Sequence, residues 1–66
     1  MKVTINGDER ELPDGSTLIV LLELLDMTRG RVAVEINQEI IPRSQHKQHK
    51  LHDGDKIEIV HAIGGG

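Results

Sequence analysis

Residues 18–27 read Leu-Ile-Val-Leu-Leu-Glu-Leu-Leu-Asp-Met, eight apolar residues in ten positions. Leu18, Leu21, Leu22 and Leu25 fall at i, i+3, i+4 and i+7, so they share one face of a helix. The length of the run, and its excess of Leu over Val and Ile, favour a helix over a strand. Ser16 or Thr17 supplies an N-cap. Gly30 is the expected stop, with Arg29 and Arg31 near the negative end of the helix dipole. Ile19, Val20 and Leu24 lie off the main face. They form either an exposed patch for docking or self-association, or a surface that is only half exposed or partly covered by the segment from Arg43 to Leu51.

The flanks alternate. Before the helix, Lys2 to Asn6 puts Val3 and Ile5 on one face. Asn6-Gly7 is a strong hairpin signal. Asp8 to Leu12 then runs back until Pro13-Asp14-Gly15 breaks it. After the helix, Val32 to Ile36 is a strand with Val32, Val34 and Ile36 inward, and Asn37-Gln38 is a turn. Glu39-Ile40-Ile41 is a short strand stopped by Pro42. Arg43 to Lys50 holds no apolar residue and reads as a polar loop, with Leu51 its anchor. Asp53-Gly54-Asp55 is a turn. Lys56 to His61 alternates again, with Ile57 and Ile59 on one face, and Ala62-Ile63 continue it.

The order β-β-α-β-β-β predicts an α+β chain of the ubiquitin-like β-grasp type. A mixed sheet of about five strands would carry one helix across it, with the first and last strands side by side and parallel at its centre. One domain over residues 1–63 is expected, followed by a flexible glycine tail at 64–66. Val3, Ile5, Leu12, Leu18, Leu21, Leu22, Leu25, Val34, Ile36, Ile57 and Ile59 should be buried, with Leu51 a satellite.

Composition removes several function classes. The chain has 66 residues and no Phe, Trp or Tyr, so aromatic platforms for single-stranded nucleic acid are absent. Eight basic against eleven acidic residues leave a net charge of −3, unsuited to general phosphate-backbone binding. Without Cys there are no disulfides, thiolate zinc sites or thiol nucleophiles. No apolar run is long enough for a membrane span and no leader is expected, so the domain reads as cytoplasmic.

Few residues suggest chemistry. Ser16, Thr17, Thr28 and Ser44 show no triad spacing. Asp53 and Asp55 bracket Gly54 as a turn would. His46, His49 and His52 recur every three residues, but Lys47 and Lys50 stand among them, so a solvated loop is expected rather than a metal site. His61 is expected to face solvent beside the tail. Arg29, Arg31 and Arg43 are either a small basic patch or isolated surface residues.

Gly64-Gly65-Gly66 is the unusual feature. Triglycine has no side chain to pack and loses the most backbone entropy on ordering. It is also the thinnest peptide there is, and extended it reaches roughly 10 Å. It is either a frayed end or a thread that carries a terminal carboxylate into another protein's narrow site, where attack on the α-phosphorus of ATP would activate it.

The chain resembles the ThiS sulfur carriers of thiamine biosynthesis over its whole length. The resemblance rests on Asn6-Gly7, Thr17-Leu18 with Leu21-Leu22, Val34-Glu35-Ile36-Asn37, Ile40-Ile41-Pro42-Arg43, Asp53-Gly54-Asp55, Ile57-Glu58-Ile59-Val60-His61 and the triglycine end. It implies a protein co-substrate and not an enzyme. Gly66 would be adenylated by a ThiF-like activating enzyme that uses ATP. Sulfur from a persulfide donor would replace AMP to leave a thiocarboxylate. A ThiG-like thiazole synthase would receive the sulfur. Gly64 and Gly65 would thread the tail into partner sites, while the carrier would hold no cofactor, metal, nucleic acid or membrane. Ile19, Val20, Leu24, His61 and Ile63 are the candidate partner surface. Related carriers serve molybdopterin, tRNA thiolation or cysteine synthesis, and a β-grasp interaction module with an idle tail is the remaining alternative.

Overall fold

The computed structural model describes residues 1–28 and 30–62. Five strands and one α-helix follow in the expected order: β1 (Lys2–Ile5), β2 (Asp8–Glu11), α1 (Leu18–Leu24), β3 (Arg31–Ile36), β4 (Glu39–Ile41) and β5 (Lys56–Ala62), with a 3-10 turn at Arg43–Gln45. They form one sheet in the order β2-β1-β5-β3-β4. β5 is the middle strand, parallel to β1 at Thr4–Lys56 and Ile5–Ile57 and antiparallel to β3 from Arg31–Ala62 to Ile36–Ile57. A strand with neighbours on both sides favours β-branched residues, and β5 contributes Ile57, Ile59 and Val60. The β-grasp expectation holds, with first and last strands adjacent.

Both hairpins use two-residue loops. Ile5 pairs with Asp8 around Asn6-Gly7, and Ile36 with Glu39 around Asn37-Gln38. All four loop residues have positive φ, the signature of type I′ turns, whose twist matches that of the strands. β2, at one sheet edge, reads Asp-Glu-Arg-Glu and is exposed throughout, so its charges discourage edge-to-edge pairing.

Asn6 extends the β1–β5 ladder beyond the end of β1. Its backbone N–H donates to Ile57 O at 2.9 Å. Its side-chain Oδ1 then accepts from Ile59 N–H at 2.8 Å, and its Nδ2 donates to Ile59 O at 3.1 Å. The amide thus occupies the place of one more peptide group of β1.

The core gathers twelve buried apolar residues between α1 and one face of the sheet. Leu18, Leu21 and Leu22 enter from the helix, Val3 and Ile5 from β1, Val34 and Ile36 from β3, and Ile57 and Ile59 from β5. Leu51 is fully part of this core rather than a satellite. Leu25 is only half-buried, because it sits at the helix C-cap and not on a helical turn. Ile41 is buried, an addition to the expected list; a three-residue strand is too short for its alternation to tell Ile40 from Ile41.

The helix is shorter at its end than its apolar pattern. It stops at Leu24, not near Gly30. Asp26 takes a left-handed φ of 58°. Met27 N–H then donates to Leu22 O at 2.8 Å and Asp26 N–H to Glu23 O at 3.1 Å, the paired bonds of a Schellman ending. Leu25 and Met27 continue the apolar spacing but only pack against the core's margin. Replacing Asp26→Gly, which relieves the left-handed strain, is expected to raise stability by up to about 1 kcal/mol. A urea midpoint followed by far-UV circular dichroism checks this, and a lower midpoint would show that the aspartate side chain is itself needed.

The helix start also differs from expectation. Neither Ser16 nor Thr17 caps it by side chain; the Ser16 hydroxyl donates instead to Pro13 O at 2.7 Å. The first free N–H groups are satisfied by the segment expected to be a solvated loop. Leu18 N–H donates to His49 O at 2.8 Å and Ile19 N–H to His46 O at 3.0 Å. Backbone carbonyls satisfy orphan helix donors as well as a cap side chain does. The segment is accordingly packed down: His46 is 4% exposed, its Nε2–H donating to Ile41 O at 3.1 Å.

At the other end of the sheet, the Asp55 carboxylate accepts from His52 N–H at 2.8 Å and from Asn37 Nδ2 at 3.0 Å, which secures the Asp53-Gly54-Asp55 turn. The Met1 ammonium donates to Leu12 O and to Asp14 Oδ1. Its hydrogen bond to the Asp14 carboxylate holds its pKa above the ordinary amine value.

Candidate functional site

β5 runs through the centre of the sheet and ends at Ala62, opposite Arg31 of β3. Four residues remain in the sequence: Ile63, Gly64, Gly65 and Gly66. All four lie outside the described residues, as do the expected domain boundary at residue 63 and Arg29 of the possible basic patch. The end of β5 and the strand beside it form the platform that precedes these four residues.

One side of that platform is cationic. Arg31 and Arg43 line one shallow cavity together with Val32 and Ala33. Arg43 and Lys47 also border a second cavity of about 220 Å³, lined by Ile19, Leu22, Val32 and His46. The one ion pair among the described residues joins Met1 to Asp14, so Arg31, Arg43 and Lys47 have no carboxylate partner there. In a chain of net charge −3, this end of the fold is locally basic.

The sheet face turned away from the helix supplies the apolar counterpart. Val60 and Ile40 are 63% and 71% exposed, and Ala33 lies opposite Val60 in the β3–β5 register. Neither Val60 nor Ile40 was among the expected surface residues. The signal was available for Val60: alternation assigns Ile57 and Ile59 inward, leaving an apolar residue at a position that faces water.

The expected partner residues do not form one patch. Ile19 is half-buried and shares the larger cavity with Arg43, His46 and Lys47, so the 43–50 segment does cover it. Val20 stands at the edge of exposure and Leu24 is 60% exposed on the helix. His61 is exposed, as expected, at the next-to-last position of β5. Its Nε2 lies over Gly30, only 3.0 Å from where a Cβ would stand, and Gly30 has a φ of +80°. Gly30→Ala is therefore expected to lose about 1–2 kcal/mol from backbone strain and crowding together. Adding His61→Ala in the same chain should restore only the crowding part, which urea midpoints of the single and double variants resolve.

The three spaced histidines are not brought together as ligands. His46 is committed to Ile41 O, His49 is half-buried and His52 is exposed. Among the described residues no three His, Asp or Glu side chains converge as metal ligands would. No helix there is long and apolar enough to cross a membrane.

A model of the ThiS family matches residues 3–66, nearly the whole sequence. The chain belongs to the ThiS family. The sulfur carrier protein ThiS of Escherichia coli K12 is 39% identical over 66 residues, with both chains covered completely. A thiazole synthase of Paramagnetospirillum magneticum is 48% identical over the same 66 residues, of which this chain spans 20% of the length. ThiS sequence thus occurs both as a separate small protein and within a much longer one. Among solved structures, the thiamine biosynthesis protein ThiS of Geobacter metallireducens superposes with a TM-score of 0.84 at 29% identity, each chain covered in full. The five-stranded sheet with one helix is the ThiS fold.

Proposed function

We propose that this chain is a sulfur carrier for formation of the thiamine thiazole ring, and that its chemistry is carried by the carboxylate of Gly66. The observation that carries the reading is the family match, which extends to Gly66. In this reading an activating enzyme binds ATP, and the Gly66 carboxylate attacks the α-phosphorus. The new P–O bond gives an acyl-adenylate and pyrophosphate leaves. Activation is needed because a carboxylate is a poor acyl donor. The outer sulfur of a persulfide then displaces AMP to form an acyl disulfide, a thiol cleaves its S–S bond by disulfide exchange, and the chain is left with a terminal thiocarboxylate that a thiazole synthase receives.

The carrier's own residues bind and position. Gly64 and Gly65 have no Cβ, so the thread they form fits a narrow channel. β5, held on both sides, gives that thread a fixed base. Val60 and Ile40 supply an apolar docking face, and Arg31 and Arg43 a cationic margin where β5 ends. No catalytic group is assigned to the carrier; its partners supply them, together with ATP and the persulfide. A thiazole synthase as partner is supported by the relatives of that name that contain a segment like this chain. The cytoplasm is the fitting compartment, because its reducing environment keeps a thiocarboxylate from oxidising.

The test is alkylation by a thiol reagent with intact-mass readout, on protein isolated from cells that hold its partners. Mass alone is ambiguous, since exchange of oxygen for sulfur has the same nominal mass as sulfoxide formation at Met1 or Met27. Alkylation separates the two because the chain has no Cys. One adduct at Gly66 is expected. No adduct, even after incubation with ATP, a sulfur donor and an activating enzyme, would leave the tail idle and make the interaction-module reading the better one.

A further inference from the structure

We propose that Asn6 is a latent deamidation site that the folded sheet protects, and that its conversion to aspartate unfastens the central strand. Asn6 is followed by Gly7, so no side chain crowds the backbone nitrogen that would attack. The surroundings are open as well: apart from Gly7 and its chain neighbours Asn6 and Asp8, no atom lies within 4 Å of where a Cβ of Gly7 would stand. The reaction needs only water. Gly7 N attacks Asn6 Cγ, the Cγ–Nδ2 bond breaks and ammonia leaves. Water then opens the resulting five-membered imide at either carbonyl, giving aspartate or isoaspartate.

Geometry opposes this in the native state. Asn6 Cγ is held against β5 by two bonds, Oδ1 to Ile59 N–H at 2.8 Å and Nδ2 to Ile59 O at 3.1 Å. For ring closure Cγ must swing onto the Gly7 nitrogen, which breaks both. Reaction therefore proceeds through local opening of the β1–β5 seam.

The product cannot remake the clamp. An aspartate oxygen replaces the Nδ2 donor and meets the Ile59 carbonyl oxygen, acceptor against acceptor. Isoaspartate additionally inserts a backbone atom into a two-residue turn whose register is fixed by its length. β1 contacts β5 in register only at Thr4–Lys56 and Ile5–Ile57, so the Asn6 amide is a large share of what fastens that side of the strand. Asn37 is an internal reference: it sits in the same kind of turn but precedes Gln38, whose side chain hinders the attacking nitrogen.

The experiment ages the wild-type chain in parallel at one mildly alkaline pH, with and without denaturing urea, and maps the product by peptide mass. Conversion at Asn6 is expected to exceed that at Asn37 in urea, and to be slower by at least about tenfold in the native chain. Equal rates at Asn6 in the two conditions would overturn the protection. Asn6→Asp is then expected to speed amide hydrogen exchange at Ile59 by at least about tenfold. Should that variant not fold, the partly converted wild-type chain gives the same reading. Unchanged exchange at Ile59 would overturn the unfastening.

Discussion

Adding a single glycine after Gly66, or deleting Gly66, is expected to reduce adenylation by an activating enzyme to background. One residue moves the terminal carboxylate by about 3.3–3.6 Å along an extended thread. Misplacement of a reacting group by about 1 Å already costs on the order of a hundredfold, because the attacking atom must meet phosphorus in line and at contact distance. A loss of at least about a hundredfold in ATP–pyrophosphate exchange is thus the minimum expected from either change. The fold should not respond, because among the described residues the twelve buried apolar ones all lie at or before Ile59. An unchanged urea midpoint alongside lost exchange places the effect in the chemistry of the terminus. Retained exchange in the extended chain would refute Gly66 as the reacting residue.

Leu22→Ala is expected to lose about 2–5 kcal/mol of stability. Leu22 is 2% exposed and packs within the core shared by α1, β1, β3 and β5. Removing its side chain forfeits buried apolar surface and leaves a cavity that a sheet tied by its ladders relaxes into only partly. A domain of this length has a total stability of only about 3–10 kcal/mol, so the variant should lose a large share of it. Far-UV circular dichroism in urea measures the change, since the chain has no aromatic residue to report by fluorescence. Leu24→Ala is the matched control: the same chemistry two residues on, at 60% exposure, should shift stability by no more than about 0.5 kcal/mol. A small effect at Leu22 would mean that the helix packs on a different face.

Much of the architecture can be read from periodicity. Val3 and Ile5, Val34 and Ile36, and Ile57 and Ile59 alternate as half-buried strands do, and each pair is in the core. Asn6-Gly7 forms the turn its residues favour. The features not legible in the sequence share a cause, which is that backbone groups decide them. Asp26 ends the helix by adopting a conformation usually left to glycine, while the apolar spacing continues past it to Met27. Residues 43–50 contain nothing apolar, yet His46 is buried because the carbonyls of His46 and His49 close the start of the helix. Composition carries no trace of a carbonyl. For the functional site, the tail is legible because three consecutive glycines are conspicuous. The outward Val60 is less conspicuous, because a single apolar residue on the solvent face of an alternating strand is common.

The helix cap has a consequence for the newborn chain. Leu18 and Ile19 donate to carbonyls about thirty residues further on, and β1 finds its parallel partner only when residues 56–62 exist. Neither the first strand nor the helix can complete its bonding until residues 46–62 have left the ribosome. An N-terminal fragment ending before Arg43 should remain largely unstructured, and folding of the emerging chain should begin only once β5 is free of the ribosome.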